Sequence, residues 1–70
     1  MNIIYTLHAK EQMNDRKIHE AWVEETIKSP NLTIHEGNKF YATKKLNGKT
    51  LRVVYIKDKD IKVITTFFIK

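Results

Sequence analysis

Residues 40–55 read FYATKKLNGKTLRVVY, and this stretch decides the fold. Asn47-Gly48 is the dipeptide preferred at the centre of a type I′ turn, and β-branched and aromatic residues are common on both sides of it. A two-residue turn also fixes the pairing of the strands, because pairs form outward from the turn. We therefore predict a hairpin with these opposed pairs: Lys45 and Thr50, Thr43 and Arg52, Ala42 and Val53, Phe40 and Tyr55.

Side chains alternate along a strand, so the hairpin has two faces of different character. One face is apolar and is expected to pack against helices: Phe40, Ala42, Leu51, Val53 and Tyr55. The other face is mixed and polar, and we call it the open sheet face: Tyr41, Thr43, Lys45 and Arg52.

The segments on either side of the hairpin predict further strands. Residues 57–60 form a polar turn, and residues 61–69 are strongly β-prone. Pairing Ile56 with Ile61 assigns three residues to the helix side, namely Ile64, Thr66 and Phe68. It assigns three to the open sheet face, namely Val63, Thr65 and Phe67. Residues 32–36 are a further strand, and residues 3–5 are either an edge strand or a tail packed on the core.

The first half of the chain is helical. Thr6 is a good N-cap for a helix that runs to Arg16. His19 is the expected N-cap of a second helix, with Ile18 and Val23 as a hydrophobic staple, and residues 29–30 end it. We predict one α+β domain over residues 1–70, with two N-terminal helices packed on a three- to four-stranded antiparallel sheet.

Composition narrows the classes of function. Thirteen Lys and Arg against eight Asp and Glu give a net charge of +5, which favours an anionic partner such as nucleic acid or an acidic protein. No cysteine is present, so disulfides and thiolate metal sites are excluded. Neither the spacing of the three histidines nor the glycines indicates a metal or another cofactor.

The chain has no run of about 20 apolar residues and no charged leader, so we expect a soluble, unprocessed cytoplasmic protein without membrane contact. A domain of this length buries only about 60% of the surface that its unfolded chain exposes. Size alone therefore makes a protein partner or a second copy plausible.

An ordered set of residues runs through the chain: Thr6-x-His8-Ala9-x-x-x-Met13-x-x-Arg16-x-Ile18, Val23, Pro30, Leu51-Arg52-Val53-Val54 and Val63-Ile64-Thr65. This set resembles the small bacterial domain of unknown function numbered four-two-five-eight, over nearly the whole chain. That family is similar to the BrnT and RelE toxins of the barnase-like and RelE-like ribonuclease superfold. His19 departs from the family pattern, where Ser or Thr is usual, and the strand that is basic in RelE-type toxins is only partly basic here.

The resemblance implies a metal-independent endoribonuclease that is the toxin of a toxin–antitoxin pair. Its substrate would be RNA, including ribosome-bound mRNA, and a cognate acidic antitoxin would cover the open sheet face. Cleavage without a metal needs a base, an acid and cations on the phosphate. His8 is the candidate acid/base, because the potential at a helix N-terminus favours the neutral imidazole. The alternative is an imidazole that only donates to a nearby carbonyl.

Arg16 lies two turns beyond His8, rotated by only about 80° around the helix axis, so both residues can border one groove. Its alternative role is to stabilise the helix C-terminus and to pair with Glu20 or Glu24. Arg52 and Thr65 on the open sheet face are candidates for holding phosphate, with a plain cross-strand polar pair as the alternative.

The predicted catalytic set is therefore His8, Arg16, Arg52 and Thr65. The predicted substrate-binding set is Gln12, Tyr41, Thr43 and Lys45, in which Tyr41 would stack on a base. A second hypothesis is a non-catalytic basic module that binds RNA or an acidic protein through the same face. A third is a homodimer formed by adding edge strands, because the long last strand would be exposed if it were unpaired.

Overall fold

The computed structural model describes residues 2–69 as two helices and five strands. In chain order these are β1 (Ile3–Tyr5), α1 (Leu7–Arg16), α2 (Glu20–Lys28), β2 (Leu32–Glu36), β3 (Lys39–Leu46), β4 (Lys49–Lys57) and β5 (Ile61–Ile69). The strands form one sheet in the order β1-β5-β4-β3-β2, in which β1 is parallel to β5 and the other neighbours are antiparallel.

The α+β class and the two N-terminal helices are confirmed. The predicted three- to four-stranded antiparallel sheet was wrong, because β1 joins the sheet as a fifth strand and makes it mixed. The sequence left residues 3–5 undecided, since three apolar residues carry too little pattern to separate a strand from a packed tail.

The hairpin of β3 and β4 has the predicted register, including Lys45 opposite Thr50 and Phe40 opposite Tyr55. Asn47 and Gly48 have φ angles of 49° and 80°. A type I′ turn needs positive φ at both central residues, which explains the preference for this dipeptide. The two-faced pattern is confirmed as well, since Ala42, Leu51 and Val53 are fully buried under the helices.

The register of β5 differs from the prediction. Ile61 pairs with Lys57 instead of Ile56, and a bulge leaves Ile64 without an opposite residue, since Tyr55 pairs with Val63 and Val54 with Thr65. The extra residue reverses the alternation of side chains. Ile61 and Val63 therefore face the helices before the bulge, and Thr66 and Phe68 face them after it. Val63, expected on the open sheet face, is fully buried in the core.

The two helices begin where the sequence predicts. Thr6 Oγ1 accepts a hydrogen bond from the backbone N–H of Ala9 at 3.1 Å and caps α1. His19 is at the N-cap position of α2, but its side chain makes no capping hydrogen bond. Its ring lies edge-on to Trp22 instead, with 4.5 Å between the ring centroids. Neither helix is long and apolar enough to cross a membrane.

Both helices cover the same side of the sheet. Helix α1 packs on β5, and α2 packs on β3 and β4. The core lies between the layers: Ala9, Met13, Ile18, Val23, Ala42, Leu51, Val53, Tyr55, Ile61 and Val63. The opposite side is the open sheet face, and no helix of residues 2–69 covers it. Strand alternation adds these residues to that face: Ile4, Leu32, Ile34, Glu36, Lys39, Thr50, Val54, Ile56, Lys62, Thr65, Phe67 and Ile69.

Candidate functional site

The open sheet face is positively charged and carries aromatic rings. Four cationic side chains lie on it, whereas Glu36 is its one carboxylate within the described strands: Lys39, Lys45, Arg52 and Lys62. Tyr41 and Phe67, both half-buried, lie on the same face. Cations interleaved with aromatic rings on a sheet can bind both the phosphates and the bases of a nucleic acid.

Arg52 is held in place by a neighbouring strand. Its Nε–H donates to Thr43 Oγ1 at 3.3 Å, and Thr43 is its direct cross-strand partner on β3. This bond uses one of the five N–H groups of the guanidinium. The others make no hydrogen bond within residues 2–69, so the fork of the guanidinium can bind an anion.

Gln12 and Thr65 contact each other. The Thr65 hydroxyl donates to Gln12 Oε1, and the same oxygen accepts the backbone N–H of Thr66 at 3.2 Å. The amide of Gln12 therefore joins α1 to the part of β5 that extends beyond β1. Gln12, predicted as a substrate-binding residue, has a structural role that the sequence did not reveal, because that role depends on where the helix crosses the sheet.

His8 is exposed in the first turn of α1, one turn before Gln12. Arg16 is exposed at the end of the helix, one turn after Gln12. Residues spaced by four lie on the same side of a helix, so the three form a stripe along α1. Within residues 2–69, the His8 side chain makes no hydrogen bond and Arg16 makes no ion pair with Glu20 or Glu24.

The structure brings some of the predicted residues together and leaves others apart. Two contacts join members of the set, Gln12 with Thr65 and Arg52 with Thr43. Arg52 lies diagonally across from Thr65, a separation of about 7–8 Å in a sheet. Within residues 2–69, no hydrogen bond joins His8 to Arg52, and the one side-chain hydrogen bond from the stripe on α1 to a side chain of the open sheet face is that between Gln12 and Thr65.

The remaining members of the substrate-binding set lie on β3. Tyr41 is half-buried between Ile34 on β2 and Val54 on β4. Lys45 is exposed near the hairpin turn, and its backbone N–H donates to the Asn31 side chain at 2.8 Å. No group of three or more His, Asp or Glu side chains within residues 2–69 has an arrangement that would hold a metal ion.

Two lysines that charge alone would assign to a partner instead stabilise the fold. Lys44 Nζ donates to the Ser29 carbonyl at 2.8 Å and lies 3.4 Å from the Glu25 carboxylate. It therefore bonds to the C-terminal end of α2. Lys49 Nζ lies 5.1 Å from the ring centroid of Phe68, within the range of a cation–π contact. The strand alternation puts Lys44 on the helix side, which is the sequence signal for its role.

A groove of about 460 Å³ lies beside the bend between the helices, and sequence reasoning missed it. Its lining includes Tyr5, Lys10, Asn14, Lys17 and His19. The Tyr5 hydroxyl is buried without a hydrogen-bond partner in residues 2–69. Burial, together with the negative charges of Glu20 and Glu24, raises the pKa of Tyr5 to about 12. None of the predicted catalytic residues lines this groove.

Comparison with known proteins places the chain in a family. No curated protein and no solved structure matches it. One family model, described as "Domain of unknown function (DUF4258)", matches residues 5–68, which includes both helices and nearly the whole sheet. The resemblance seen in the ordered residues from Thr6 to Thr65 is thereby confirmed: the chain belongs to the DUF4258 family.

Proposed function

We propose that this domain is a metal-independent endoribonuclease and the toxin component of a toxin–antitoxin system, acting in the cytoplasm. The proposal rests on the similarity of its family to BrnT and RelE toxins and on one observation. The contact of Gln12 with Thr65 ties α1, which carries His8 and Arg16, to the sheet face that carries Arg52. An acid/base and two cations can thus border one RNA strand.

RNA, including ribosome-bound mRNA, would lie along the open sheet face. Lys39, Lys45 and Lys62 would contact phosphates, and Tyr41 would stack on a base, since unpaired RNA bases bind well to aromatic rings on sheets. The side chains of the open sheet face carry a net positive charge, and this charge attracts a polyanion such as RNA.

The chemistry would proceed by attack of the ribose 2′-oxygen on the adjacent phosphorus. His8 would take the 2′-hydroxyl proton, the P–O5′ bond would break, and a proton from the imidazolium would go to the departing 5′-oxygen. The products are a 2′,3′-cyclic phosphate and a 5′-hydroxyl. Arg52, held by Thr43, and Arg16 would donate to the non-bridging oxygens, whose charge redistributes in the transition state. Thr65 would position the phosphate by turning its hydroxyl from Gln12 Oε1 to a non-bridging oxygen.

The antitoxin partner in this proposal is an acidic protein that covers the open sheet face. The exposed apolar side chains of Leu32 and Ile34 lie on the same face as its cations, so a partner would bury apolar area as well as pair charges. Covering this face would exclude RNA.

The test is incubation of the purified protein with end-labelled RNA in the presence of a chelator. We expect fragments that end in 2′,3′-cyclic phosphate. His8→Ala should lower the cleavage rate by about 100-fold or more, the usual contribution of a general acid/base. His19→Ala is the matched control, because His19 is also an exposed histidine at a helix start. Equal rates for wild type and His8→Ala would remove His8 from catalysis.

A second candidate is a non-catalytic basic module that uses the same face. The observation in its favour is that no hydrogen bond within residues 2–69 joins His8 to Arg52, while the side chains of Gln12 and Thr65 already bond to each other. RNA that stays intact after long incubation, together with binding that is insensitive to His8→Ala and strongly salt-dependent, would support this candidate over the nuclease.

A further inference from the structure

The two edges of the sheet differ in how they are protected. Beyond the short β1, the free edge of β5 is covered by side chains. Thr6 Oγ1 donates to the Ile64 carbonyl at 3.1 Å, and Gln12 Oε1 accepts the Thr66 N–H. At the opposite edge, β2 pairs with β3 alone, and all five of its residues are exposed. No side chain of residues 2–69 hydrogen-bonds to β2.

Strand β2 also lacks the usual features that keep an edge from pairing with another chain. Edges are commonly protected by lysine, proline or a bulge. Residues 32–36 contain neither lysine nor proline, and their register with β3 is unbroken. Leu32 and Ile34 are 55% and 48% exposed, although both are large and apolar. Residues 30–38 contain no Lys or Arg, so this segment does not repel the cations of a second copy of the +5 chain.

We propose that β2 is a homodimer interface, in which β2 of a second copy adds antiparallel about a two-fold axis at Thr33. A residue-centred two-fold pairs the outward backbone N–H and C=O groups of the two strands. Thr33 is then opposite its own copy, and Leu32 is opposite Ile34 of the second copy. The two pairs of Leu32 and Ile34 form one apolar cluster on the open sheet face, beside Tyr41.

Charge complementarity selects this register. With the axis at Thr33, Glu36 lies opposite Pro30 of the second copy. Lys45 lies close to that point, because its backbone N–H donates to the Asn31 side chain at 2.8 Å, so each Glu36 approaches Lys45 of the other copy. Glu36 and Lys45 both lie on the open sheet face. An axis at Ile34 would instead set the carboxylate of Glu36 against Leu32.

The dimer would join two five-stranded sheets into one of ten strands, with all helices on one side and a continuous open sheet face on the other. This inference does not depend on the proposed nuclease activity. One added strand buries less than the roughly 1,600 Å² of a standard interface, so we expect a dimer that dissociates on dilution.

The first test is the molar mass of the protein by analytical ultracentrifugation over a wide concentration series. We expect a monomer–dimer equilibrium that Ile34→Lys shifts at least tenfold toward monomer. Ile4→Lys is the matched control, since Ile4 is 47% exposed on the same face at the other edge of the sheet. A monomer at every concentration, or a dimer unaffected by Ile34→Lys, would overturn the proposal.

The second test uses the absence of cysteine from the chain. Directly opposed residues in an antiparallel pair have Cα atoms about 4.5–5.5 Å apart, which suits a disulfide. Thr33→Cys should therefore form a disulfide-linked dimer on mild oxidation, with an unchanged circular dichroism spectrum. Ile34→Cys should cross-link poorly alone but well when mixed with Leu32→Cys. Efficient cross-linking of Ile34→Cys alone would refute the register.

Discussion

The Tyr5 hydroxyl, like that of Thr66, is buried without a hydrogen-bond partner among residues 2–69. The backbone of Tyr5 lies in β1, paired with Val63, and its ring packs against the core. Most buried hydroxyls form a hydrogen bond, and an unpaired one costs free energy. Glu20 and Glu24 make an ionised ring still less favourable. The result is a phenol that the fold keeps neutral.

This environment predicts a pH dependence of stability. Folding raises the pKa of Tyr5 from 10 to about 12, so the neutral form is favoured in the folded state. Below pH 10 the contribution of Tyr5 is fully present. As the pH rises from 10 toward 12, the unfolded chain loses its proton first, and the free energy of unfolding falls. Chemical denaturation at a series of pH values should show a shallower fall for Tyr5→Phe. An equally steep fall in both proteins would contradict the assignment.

At the scale of elements, the sequence predicted the features that depend on a few neighbouring residues. It did not predict the features that depend on tertiary packing. The hairpin could be read from Asn47-Gly48 because turn geometry depends on two residues. The start of α1 could be read from Thr6 for the same reason. The bulge at Ile64 could not be predicted, because both possible alternations of residues 61–69 turn apolar side chains toward the core. Packing under the helices selects one alternation before the bulge and the other after it. The parallel pairing of β1 likewise depends on tertiary structure, because its partner β5 is the last strand of the chain.

Gln12 is the side chain through which α1 and β5 depend on each other. Gln12→Ala removes the acceptor for the Thr66 N–H and the Thr65 hydroxyl, and we expect it to lower the free energy of unfolding by about 1–3 kcal/mol. Urea denaturation measures the loss. Gln12→Glu keeps the acceptor oxygen and should retain more stability than alanine. A neutral effect of Gln12→Ala would show that water replaces the contact.

At the scale of the whole molecule, charge is divided between the two layers. Residues 7–28 carry four cationic and five acidic side chains, whereas residues 32–69 carry eight and three. The excess positive charge therefore belongs to the sheet, and four of its cations lie on the open sheet face. A layered separation of charge directs an anion to one side of the molecule.

RNA binding should show this separation in its dependence on salt. If all four cations contact phosphates of a single strand, the logarithm of the binding constant falls with the logarithm of salt concentration with a slope of about −3. Lys39→Ala should reduce the slope by about 0.7. Lys28→Ala, an exposed lysine on the helical layer, should leave it unchanged. Equal effects of the two substitutions would argue against the open sheet face as the RNA site.

The candidate site was only partly predictable from the sequence. Arg52 and Thr43 could be paired in advance, since the hairpin turn sets their register. Thr65 was assigned to the correct face although the register of its strand was wrong, because the bulge precedes it. The relation of His8 to the sheet could not be predicted, since it depends on the crossing of α1 over β5. No pattern in the sequence predicts where α1 crosses β5.

The cover that α1 provides for β5 also protects the protein from self-assembly. Residues 64–69 read ITTFFI, a run of β-branched and aromatic residues with no charge, glycine or proline. Segments of this kind stack into amyloid-like steric zippers once their backbone is accessible. Conditions that detach the first helix while leaving the strands intact would therefore start fibril growth before the molecule had unfolded.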